Sequence, residues 1–475
     1  MSVLKDVGSE GRAHARRIFR RPSWSLPGAL GKILGCSGAA VAVGYWARVS
    51  GQDLSIEGVR MLQILVLAAG LWMTEAIPAF AVGLLAMALQ ILVATPVGNS
   101  ELMTWQEVLA PWASPLIWLF FGGFVLSLAA TKVGLDLAVA SSVLRWFGRG
   151  PRLLLAGVMA VSFVLSMLIS NTATAAMLVG VVTPLMISLP ARYASGLLLG
   201  IALSASLGGM GTLIGSPPNA IAVSALAGKF DISFLQWMAY GLVPAIVLVA
   251  AMGVLVWFRH GRAADAEVDM AKLRSGLPKP PVNVAKRDRF FVAAVIVLVV
   301  LMWLTERWHG MSPALVAFMG VTLLTVTGTV TAQELRNVPW EVLLLMAGGL
   351  SLGQGVQISG LADWLGSLFP AHWSRAGLAL GLAIGGVLLS NFMSNTAAAS
   401  ILVPLAISLS PDRPELVALP VALACSCATL LPVSTPPNAI AFASGRLRTA
   451  DFVWPGLTLI VLGPLVLWLW LGLVL

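Results

Sequence analysis

Two copies of a short polar phrase interrupt long apolar runs in this sequence, and each copy is followed by a second shared phrase. Ser-Asn-Thr-Ala occurs at 170–173 and at 394–397, and Pro-Pro-Asn-Ala-Ile follows at 217–221 and at 436–440. Hydroxyl and amide oxygens can bind a hard cation, and the free N–H groups of a helix that starts with proline favour an anion. The repeated phrases contain no histidine, cysteine or carboxylate to serve as nucleophile or base. They therefore indicate coordination of small ions and argue against an enzyme.

The composition places the chain in a membrane. Of its 475 residues, 58% are hydrophobic and 10% are charged, and the mean hydropathy is +0.92, so charged residues are too few to cover a soluble domain. The net charge of +9 collects in short segments between apolar runs, a pattern typical of topological signals and not of nucleic-acid binding. The three cysteines have no metal-ligand spacing, and we interpret them as small core residues: Cys36, Cys425 and Cys427.

Nine apolar runs are long enough, or nearly so, to cross about 30 Å of hydrocarbon. They lie near 28–46, 58–76, 78–96, 113–131, 238–258, 289–305, 312–330, 340–358 and 452–475. Two compound regions, 152–220 and 375–440, lie between these runs and contain all four repeated phrases. Each compound region is therefore predicted to combine helices with helix breaks.

The distribution of basic residues predicts the orientation. Residues 1–24 are basic and lack the apolar core of a signal peptide, so we interpret them as a retained cytoplasmic tail. The loop 97–111 has two glutamates and no Lys or Arg, whereas three arginines fall within 145–152, as a cytoplasmic N-terminus requires. The basic, proline-containing stretch 259–289 reads as a cytoplasmic linker. We expect an inner (plasma) membrane protein with its N-terminus cytoplasmic and its C-terminus external.

Parity constrains the first compound region, because Arg152 and Arg192 flank 153–190 and both should be cytoplasmic. A single crossing is thereby excluded. Two full crossings would put Asn171 at the far surface, whereas a re-entrant hairpin would put it near the bilayer midplane, and the segment length permits both. Polar backbone at that depth is tolerated only against protein or a water-filled cavity, so the hairpin alternative implies a binding site.

The two halves of the chain also match outside these phrases. Gly-Gly at 122–123 recurs at 348–349, each pair followed by Gly-Leu, at 134–135 and 360–361. Counting spans, the first Gly-Gly run goes outward to inward and the second inward to outward. The halves are therefore predicted to be an inverted repeat, which is typical of secondary transporters.

Together with Thr-Glu-Ala-Ile-Pro at 74–78, the paired Ser-Asn-Thr and Pro-Pro-Asn phrases resemble the divalent anion:sodium symporter (DASS) family. The resemblance runs from about residue 55 to the end. It implies an all-α polytopic membrane protein with eleven transmembrane spans plus two re-entrant helical hairpins. It also implies a homodimer in which a scaffold domain forms the interface and a transport domain moves by an elevator mechanism.

Carried onto this chain, the resemblance implies six segments. They are a basic cytoplasmic tail (1–27), scaffold spans of the first half (28–151), a first part of the transport domain (152–258), the cytoplasmic linker (259–288), scaffold spans of the second half (289–374) and a second part of the transport domain (375–475).

The resemblance further implies one sodium site in each half. The first would use Ser166, Ser170, Asn171 and Gly215, and the second Ser390, Ser394, Asn395 and Ser434. In each half the two serines are four residues apart, which puts both hydroxyls on one helical face. The second site departs from the family pattern, because neutral Asn391 stands where several members have an acidic residue and Ser434 replaces the more usual alanine.

For the anion, the resemblance implies a pocket formed by Asn171, Thr172, Ser216, Pro217, Asn395, Thr396, Thr435 and Pro436. No Arg, Lys or His occurs within the phrases, so positive potential must come from half-helix N-termini and bound sodium. Burying a dianion without sodium is costly, so the binding of the two ions is expected to be coupled.

The favoured function is a sodium-coupled secondary active transporter that imports a small dianionic substrate, most simply a C4-dicarboxylate such as succinate, malate or fumarate. Sodium ions would be co-transported. A sodium-independent dicarboxylate exchanger, or a sulfate or citrate carrier of the same fold, would carry the same motifs. A channel fits two occluding hairpins and an inverted repeat less well.

Simpler structural roles compete for several residues. A Ser-Asn-Thr phrase can be a helix cap or a polar contact between spans. Asn219 and Asn438 are predicted to hold the half-helices in place and not to touch a ligand. Lys132 and Asp136 are four apart at a helix end and are predicted to form a surface pair.

Overall fold

The computed structural model describes residues 26–49, 54–98, 100–147, 150–183, 186, 189–261, 284–368 and 373–475. Most of the predicted basic tail and most of the predicted linker lie outside these residues. Within them the regular secondary structure is helical and includes no strand, which confirms the all-α prediction for this part of the chain.

The first half, as far as it is described, contains the following α-helices. They are α1 (Leu26–Val49), α2 (Ile56–Thr74), α3 (Ala79–Ala94), α4 (Trp105–Leu109), α5 (Pro115–Lys132), α6 (Leu135–Phe147), α7 (Pro151–Ser166), α8 (Asn171–Val182), α9 (Ala191–Gly208), α10 (Pro217–Leu226) and α11 (Phe234–Val256). A π-helical turn, Trp257–Gly261, continues α11.

The described part of the second half contains a matching series. Its α-helices are α12 (Lys286–Leu304), α13 (Glu306–His309), α14 (Pro313–Val326), α15 (Ala332–Leu335), α16 (Trp340–Ile358), α17 (Leu361–Ser367), α18 (Arg375–Ser390), α19 (Asn395–Leu409), α20 (Glu415–Ala424), α21 (Pro436–Ala443) and α22 (Thr449–Val474).

Seven helical stretches in the described residues are long and apolar enough to cross a membrane. They are Gly28–Val49, Ile56–Thr74, Trp105–Lys132, Ala191–Gly211, Phe234–Gly261, Trp340–Ile358 and Thr449–Val474. The most apolar 18-residue window of the Ala191–Gly211 stretch, which contains α9, is entirely buried, whereas only 28% of the Thr449–Val474 window is buried. Thus α9 lies inside the bundle and α22 at its surface.

The Thr-Glu-Ala-Ile-Pro segment joins α2 to α3. Glu75 is the C-cap of α2 and has φ 48° and ψ 38°, a left-handed conformation that is uncommon for a residue with a side chain. Its N–H lies 3.4 Å from Trp72 O, and Pro78 then precedes α3. The segment therefore makes the break between two helices that pack on each other.

At each of the two Gly-Gly pairs, a helix of one half packs against a helix of the other half. α5 packs on α14, and α16 packs on α3. A Cβ on Gly122 would lie 2.6 Å from Ala317 Cβ, and a Cβ on Gly348 would lie 2.5 Å from Gly83 Cα. Because only glycine permits such backbone approach, the two glycines make equivalent tight crossings, in agreement with a repeat.

Helices of the two halves also pack against each other around the repeated phrases. α10, which follows the first Pro-Pro-Asn break, packs on α19, and α21, which follows the second, packs on α8. Each broken helix therefore contacts the helix that begins at the Ser-Asn-Thr phrase of the other half. This brings all four phrases into one region.

The predicted pair of Lys132 with Asp136 is wrong. α5 ends at Lys132, and Gly134 has φ 67°, so the two residues do not share a helix. The Lys132 ammonium lies 2.8 Å from Glu334 instead, and Asp136 accepts a hydrogen bond from Thr131. The hydrogen bond with Lys132, and after it those with Thr331, lower the pKa of the Glu334 carboxyl to about 2.

Candidate substrate and cation site

A cavity of about 520 Å³ lies where the four repeated phrases meet. All eight residues of the predicted anion pocket line it: Asn171, Thr172, Ser216, Pro217, Asn395, Thr396, Thr435 and Pro436. Residues far apart in sequence thus form one wall. Their roles as ligands remain a prediction, but their convergence is a property of the structure.

Four helices begin at this cavity. α8 starts at Asn171, α10 at Pro217, α19 at Asn395 and α21 at Pro436, and each of these residues lines the cavity. Every helix start carries unpaired N–H groups and the positive end of a helix dipole, equivalent to about half a unit charge. The four helix starts therefore contribute positive potential to the cavity, although its described lining residues include no Lys, Arg or His.

The opposite wall comes from α5 and α16, which carry none of the repeated phrases. It includes Phe120 and Phe124 on α5 and Glu341 and Leu345 on α16. Glu341 is exposed and is the single charged residue among the described residues of the lining. Sequence motifs did not reveal this wall, because an aromatic residue or a carboxylate at a helix end is common and unspecific.

In the first half, four oxygens converge behind the cavity. Ser166 Oγ lies 2.5 Å from Asn171 Oδ1 and 2.6 Å from Ala205 O. The atom position occupied by Asn171 Oδ1 also lies 3.1 Å from Gly215 O. With its NH₂ group there, Asn171 donates to these acceptors, and with its oxygen there the cluster consists of oxygens only and suits a cation. Ala205 O was not predicted.

Ser170 and Ser394 are helix N-caps. Ser170 Oγ accepts from Ala173 N at 3.2 Å, and Ser394 Oγ accepts from Ala397 N at 3.2 Å. These two hydroxyls therefore cap α8 and α19, and their role as sodium ligands stays a prediction. Their capping also fixes where α8 and α19 begin, and so it positions Asn171 and Asn395 at the cavity.

The corresponding oxygens in the second half have no such network. Ser390 Oγ and Asn395 Oδ1 are buried, and neither has a hydrogen-bond partner among the described nitrogen and oxygen atoms. A buried polar atom without a partner is unfavourable unless a ligand or water satisfies it. This pair fits the predicted cation ligands of the second half.

The two departures from the family pattern contact each other. Ser434 Oγ donates to Asn391 Oδ1 at 2.9 Å, and Asn391 Oδ1 also accepts from Leu430 N at 2.8 Å. Asn391 Nδ2 donates to Val387 O at 2.8 Å. The neutral amide thus joins the end of α18 to the second helix break, and its polar atoms are satisfied without a cation.

Asn219 and Asn438 hold the helix breaks, in agreement with the prediction. Asn219 Nδ2 donates to Gly209 O and to Thr212 O, both at 2.8 Å. Asn438 Nδ2 donates to Thr429 O at 3.3 Å and to Leu431 O at 3.0 Å. Both side chains are fully buried and outside the cavity lining, so each amide satisfies carbonyls that the break leaves unpaired.

Hydroxyl groups also connect the two halves directly. Ser206 Oγ lies 3.5 Å from Thr435 Oγ1, and Ser426 Oγ lies 3.5 Å from Ser216 Oγ. The cap residue of each half-helix thus meets a buried serine from the other half. Single serines in apolar helices gave no sequence signal for this contact.

The sequence profile of the citrate transporter family, CitMHS, matches residues 69–428. The chain belongs to this family. The match confirms the resemblance to divalent anion:sodium symporters, and it identifies the chain as a multi-pass membrane transporter and not an enzyme.

Relatives of this citrate transporter family member include two staphylococcal proteins named sodium-dependent dicarboxylate transporter SdcS. The protein from Staphylococcus saprophyticus is 31% identical over 439 residues, which cover 83% of this chain and 82% of the relative. The protein from Staphylococcus aureus strain RF122 is 31% identical over 442 residues with the same coverage.

Two solved structures share the fold. The YdaH transporter of Alcanivorax borkumensis aligns with a TM-score of 0.55 at 14% identity, over 86% of this chain and 98% of that one. MtrF of Neisseria gonorrhoeae aligns with a TM-score of 0.54 at 10% identity, over 91% of this chain and 96% of that one. At such low identity the likeness concerns the fold alone.

Proposed function

We propose that this member of the citrate transporter family is a sodium-coupled importer of a divalent anion, most simply a C4-dicarboxylate such as succinate, malate or fumarate. The SdcS relatives are named for sodium-dependent dicarboxylate transport. The observation that carries the proposal is the cavity of about 520 Å³, in which four helix N-termini and all eight predicted anion-binding residues meet.

Sodium binding is assigned to the two oxygen clusters. In the first half, Ser166, Asn171 and Gly215 provide the predicted oxygens and Ala205 O adds another. In the second half, Ser390 and Asn395 provide oxygens that lack other partners, and Ser434 is tied to Asn391. A cation in either cluster would lie next to an asparagine of the cavity wall, so it would lower the energy of a bound dianion.

The proposed topology has eleven spans and two re-entrant hairpins. The seven long stretches supply seven spans; α3, α12 and α14 add three, and α20 with α21 forms a broken eleventh. α7 with α8 and α18 with α19 form the hairpins, which place Asn171 and Asn395 near the midplane. With the N-terminus cytoplasmic and the C-terminus external, the cavity opens between the inner ends of α5 and α16, which corresponds to an inward-facing state.

The proposed transport domain, 152–258 with 375–475, moves against a scaffold of 28–151 and 289–374 as an elevator in a homodimer. The support lies at the second glycine of each Gly-Gly pair. Gly123 faces Ile214, and Gly349 faces Ser400. Helices of the proposed scaffold therefore present glycine to the proposed moving domain, which leaves few protruding side chains along the path.

The test is uptake by the purified protein in proteoliposomes. Labelled succinate, citrate and sulfate are offered with an inward sodium gradient, and choline replaces sodium in the control. We expect concentrative, saturable, sodium-dependent succinate uptake, accelerated by a negative interior if net positive charge enters with the substrate. Succinate uptake that is unchanged in choline would refute sodium coupling.

Two further arms separate the alternatives of the same fold. Counterflow from preloaded vesicles without sodium would identify an exchanger. Competition by an excess of unlabelled citrate or sulfate ranks the anions. The matched family is named for citrate transport, which favours citrate among the alternative substrates. A lower KM for citrate than for succinate would reassign the substrate while leaving the cavity assignment intact.

A further inference from the structure

A second cavity, of about 310 Å³, lies farther along the same helices. The first cavity is lined by the beginnings of α10, α16 and α19, near Pro217, Leu345 and Asn395. The second is lined by later residues of the same helices, from Ile221, Gly349 and Pro404 onward, together with Ser114. On α10 and α16 the two linings are one helical turn apart, about 6 Å.

The charged side chain of the second cavity is opposite in sign to that of the first. Among the described lining residues, Lys229 is the single charged residue of the second cavity and Glu341 that of the first. Lys229 is exposed and follows Gly228, whose φ of 76° turns the chain after α10. No ion pair of Lys229 occurs among the described residues.

Neutral hydrogen-bond donors line the same cavity as this lysine. Gln354 and Gln357 are three residues apart on one face of α16, and both line the cavity. Both side chains are half-buried, and the described residues provide no hydrogen-bond partner for either amide. Ser224 on α10 adds a hydroxyl group. One ammonium, two amides and a hydroxyl are groups that bind a carboxylate or another oxyanion.

We propose that the second cavity is an anion-collecting site on the external side, where Lys229 with Gln354 and Gln357 attracts the dianion before it reaches the transport site. The inference rests on the proposed function and orientation, which place the later parts of α10, α16 and α19 toward the outside. A cation at a narrow mouth raises the local concentration of an anionic substrate and its rate of association. Glu341 at the inner mouth has no such attraction for the product.

The test is Lys229→Gln in proteoliposomes that are sorted by orientation, with sodium saturating and osmolarity balanced by sucrose. For external succinate we expect KM to rise roughly three- to tenfold at low ionic strength with kcat unchanged, because one charge is removed about 10 Å or less from a dianion. The effect should shrink as choline chloride is added, and Lys229→Arg should restore the KM.

Arg307→Gln is the matched control, since it removes one exposed charge on the proposed external side outside the cavity. We expect its KM to stay within about twofold of the wild-type value. Wild-type sodium-dependent uptake in the same preparation shows that the proposed function holds. An unchanged KM for Lys229→Gln at low salt would overturn the collecting site without touching that function.

Discussion

The two halves of the transport site contain the same repeated phrases, but the polar groups of these phrases have different hydrogen-bond partners. In the first half, Ser166, Asn171 and the carbonyl of Ala205 form a closed network with contacts of 2.5 and 2.6 Å. In the second half, the hydroxyl of Ser390 and the amide oxygen of Asn395 have no nitrogen or oxygen partner among the described residues, Ser390 contacts only the Cys425 thiol, and the bonds are made by Asn391 and Ser434 instead. The repeat therefore places equivalent residues at the same cavity, but it does not give them the same hydrogen bonds.

This difference bears on how each half responds to sodium. A network whose polar groups already bond to one another loses those bonds when a cation enters, so part of the binding energy is offset. Buried oxygens without nitrogen or oxygen partners lose at most a weak bond to a thiol and gain a ligand. We therefore expect the second cluster to depend more on sodium for its stability than the first.

The largest expected effect comes from removing the asparagine of either half. Asn171→Ala and Asn395→Ala should each lower succinate uptake at least about a hundredfold, because each removes a group that lies between cation and anion, worth roughly 3 kcal/mol. Uptake by the folded variants, judged by size-exclusion profile, is the measurement. Normal uptake in one of the two would show that only one half forms the site.

The next effect compares the second glycines of the two Gly-Gly pairs. A Cβ on Gly349 would lie 2.1 Å from Ser400 Oγ, whereas a Cβ on Gly123 would find its nearest atom, of Ile214, at 3.4 Å. Gly349→Ala should slow uptake about tenfold, and Gly123→Ala should stay within about twofold. Initial rates at saturating substrate measure both.

Ser400→Ala provides the control for this pair, because it removes the nearer atom. The double variant should recover part of the rate that Gly349→Ala loses. Equal rates for the two single glycine variants would show that the halves slide past their neighbours with the same clearance.

Serine substitutions address the bonding directly. Ser166→Ala removes two buried hydrogen bonds and should lower the free energy of unfolding without sodium by about 1 to 2 kcal/mol, whereas Ser390→Ala removes only a weak bond with the Cys425 thiol and should change it by less than about 0.5 kcal/mol. Thermal unfolding in detergent measures this, and both variants should raise the sodium concentration for half-maximal uptake. Equal destabilisation would mean that the two networks are equivalent.

The smallest expected effect is a gain in the second half. Asn391→Asp keeps the acceptor for Leu430 N and Ser434 Oγ but loses the donor to Val387 O. The added negative charge near the second cluster should lower the half-saturating sodium concentration about threefold. Sodium titration of uptake measures it, with Ser434→Ala as the variant that keeps the charge unchanged. A sodium response identical to wild type would separate Asn391 from the cation site.

Sequence alone predicted the wall of the cavity that the repeated phrases form. Pro217 and Pro436 fix helix starts, and Ser170 and Ser394 cap the helices that begin at the two asparagines. Local rules therefore position these residues. The same rules placed Asn219 and Asn438 at the breaks, because carbonyls freed there need donors.

Other parts of the site depend on tertiary contacts with no local pattern. Phe120 and Glu341 face the cavity only because α5 and α16 pack beside it, and Ala205 contributes a backbone carbonyl that any residue type would supply. The pair of Lys132 with Asp136 failed for a related reason, since the helix ends at Lys132 and the lysine turns to Glu334 of the other half.

The opposite charges of the two mouths have a consequence for energetics. Lys229 and Glu341 belong to the proposed path of the anion and not to the two solutions that it connects, so the principle of microscopic reversibility limits their influence. They can change how fast the anion enters and leaves, in both directions along the path, but not the ratio of concentrations at which net flow stops. That ratio depends only on the number of coupled ions and the membrane potential, so the charged mouths act as kinetic aids to a gradient set elsewhere.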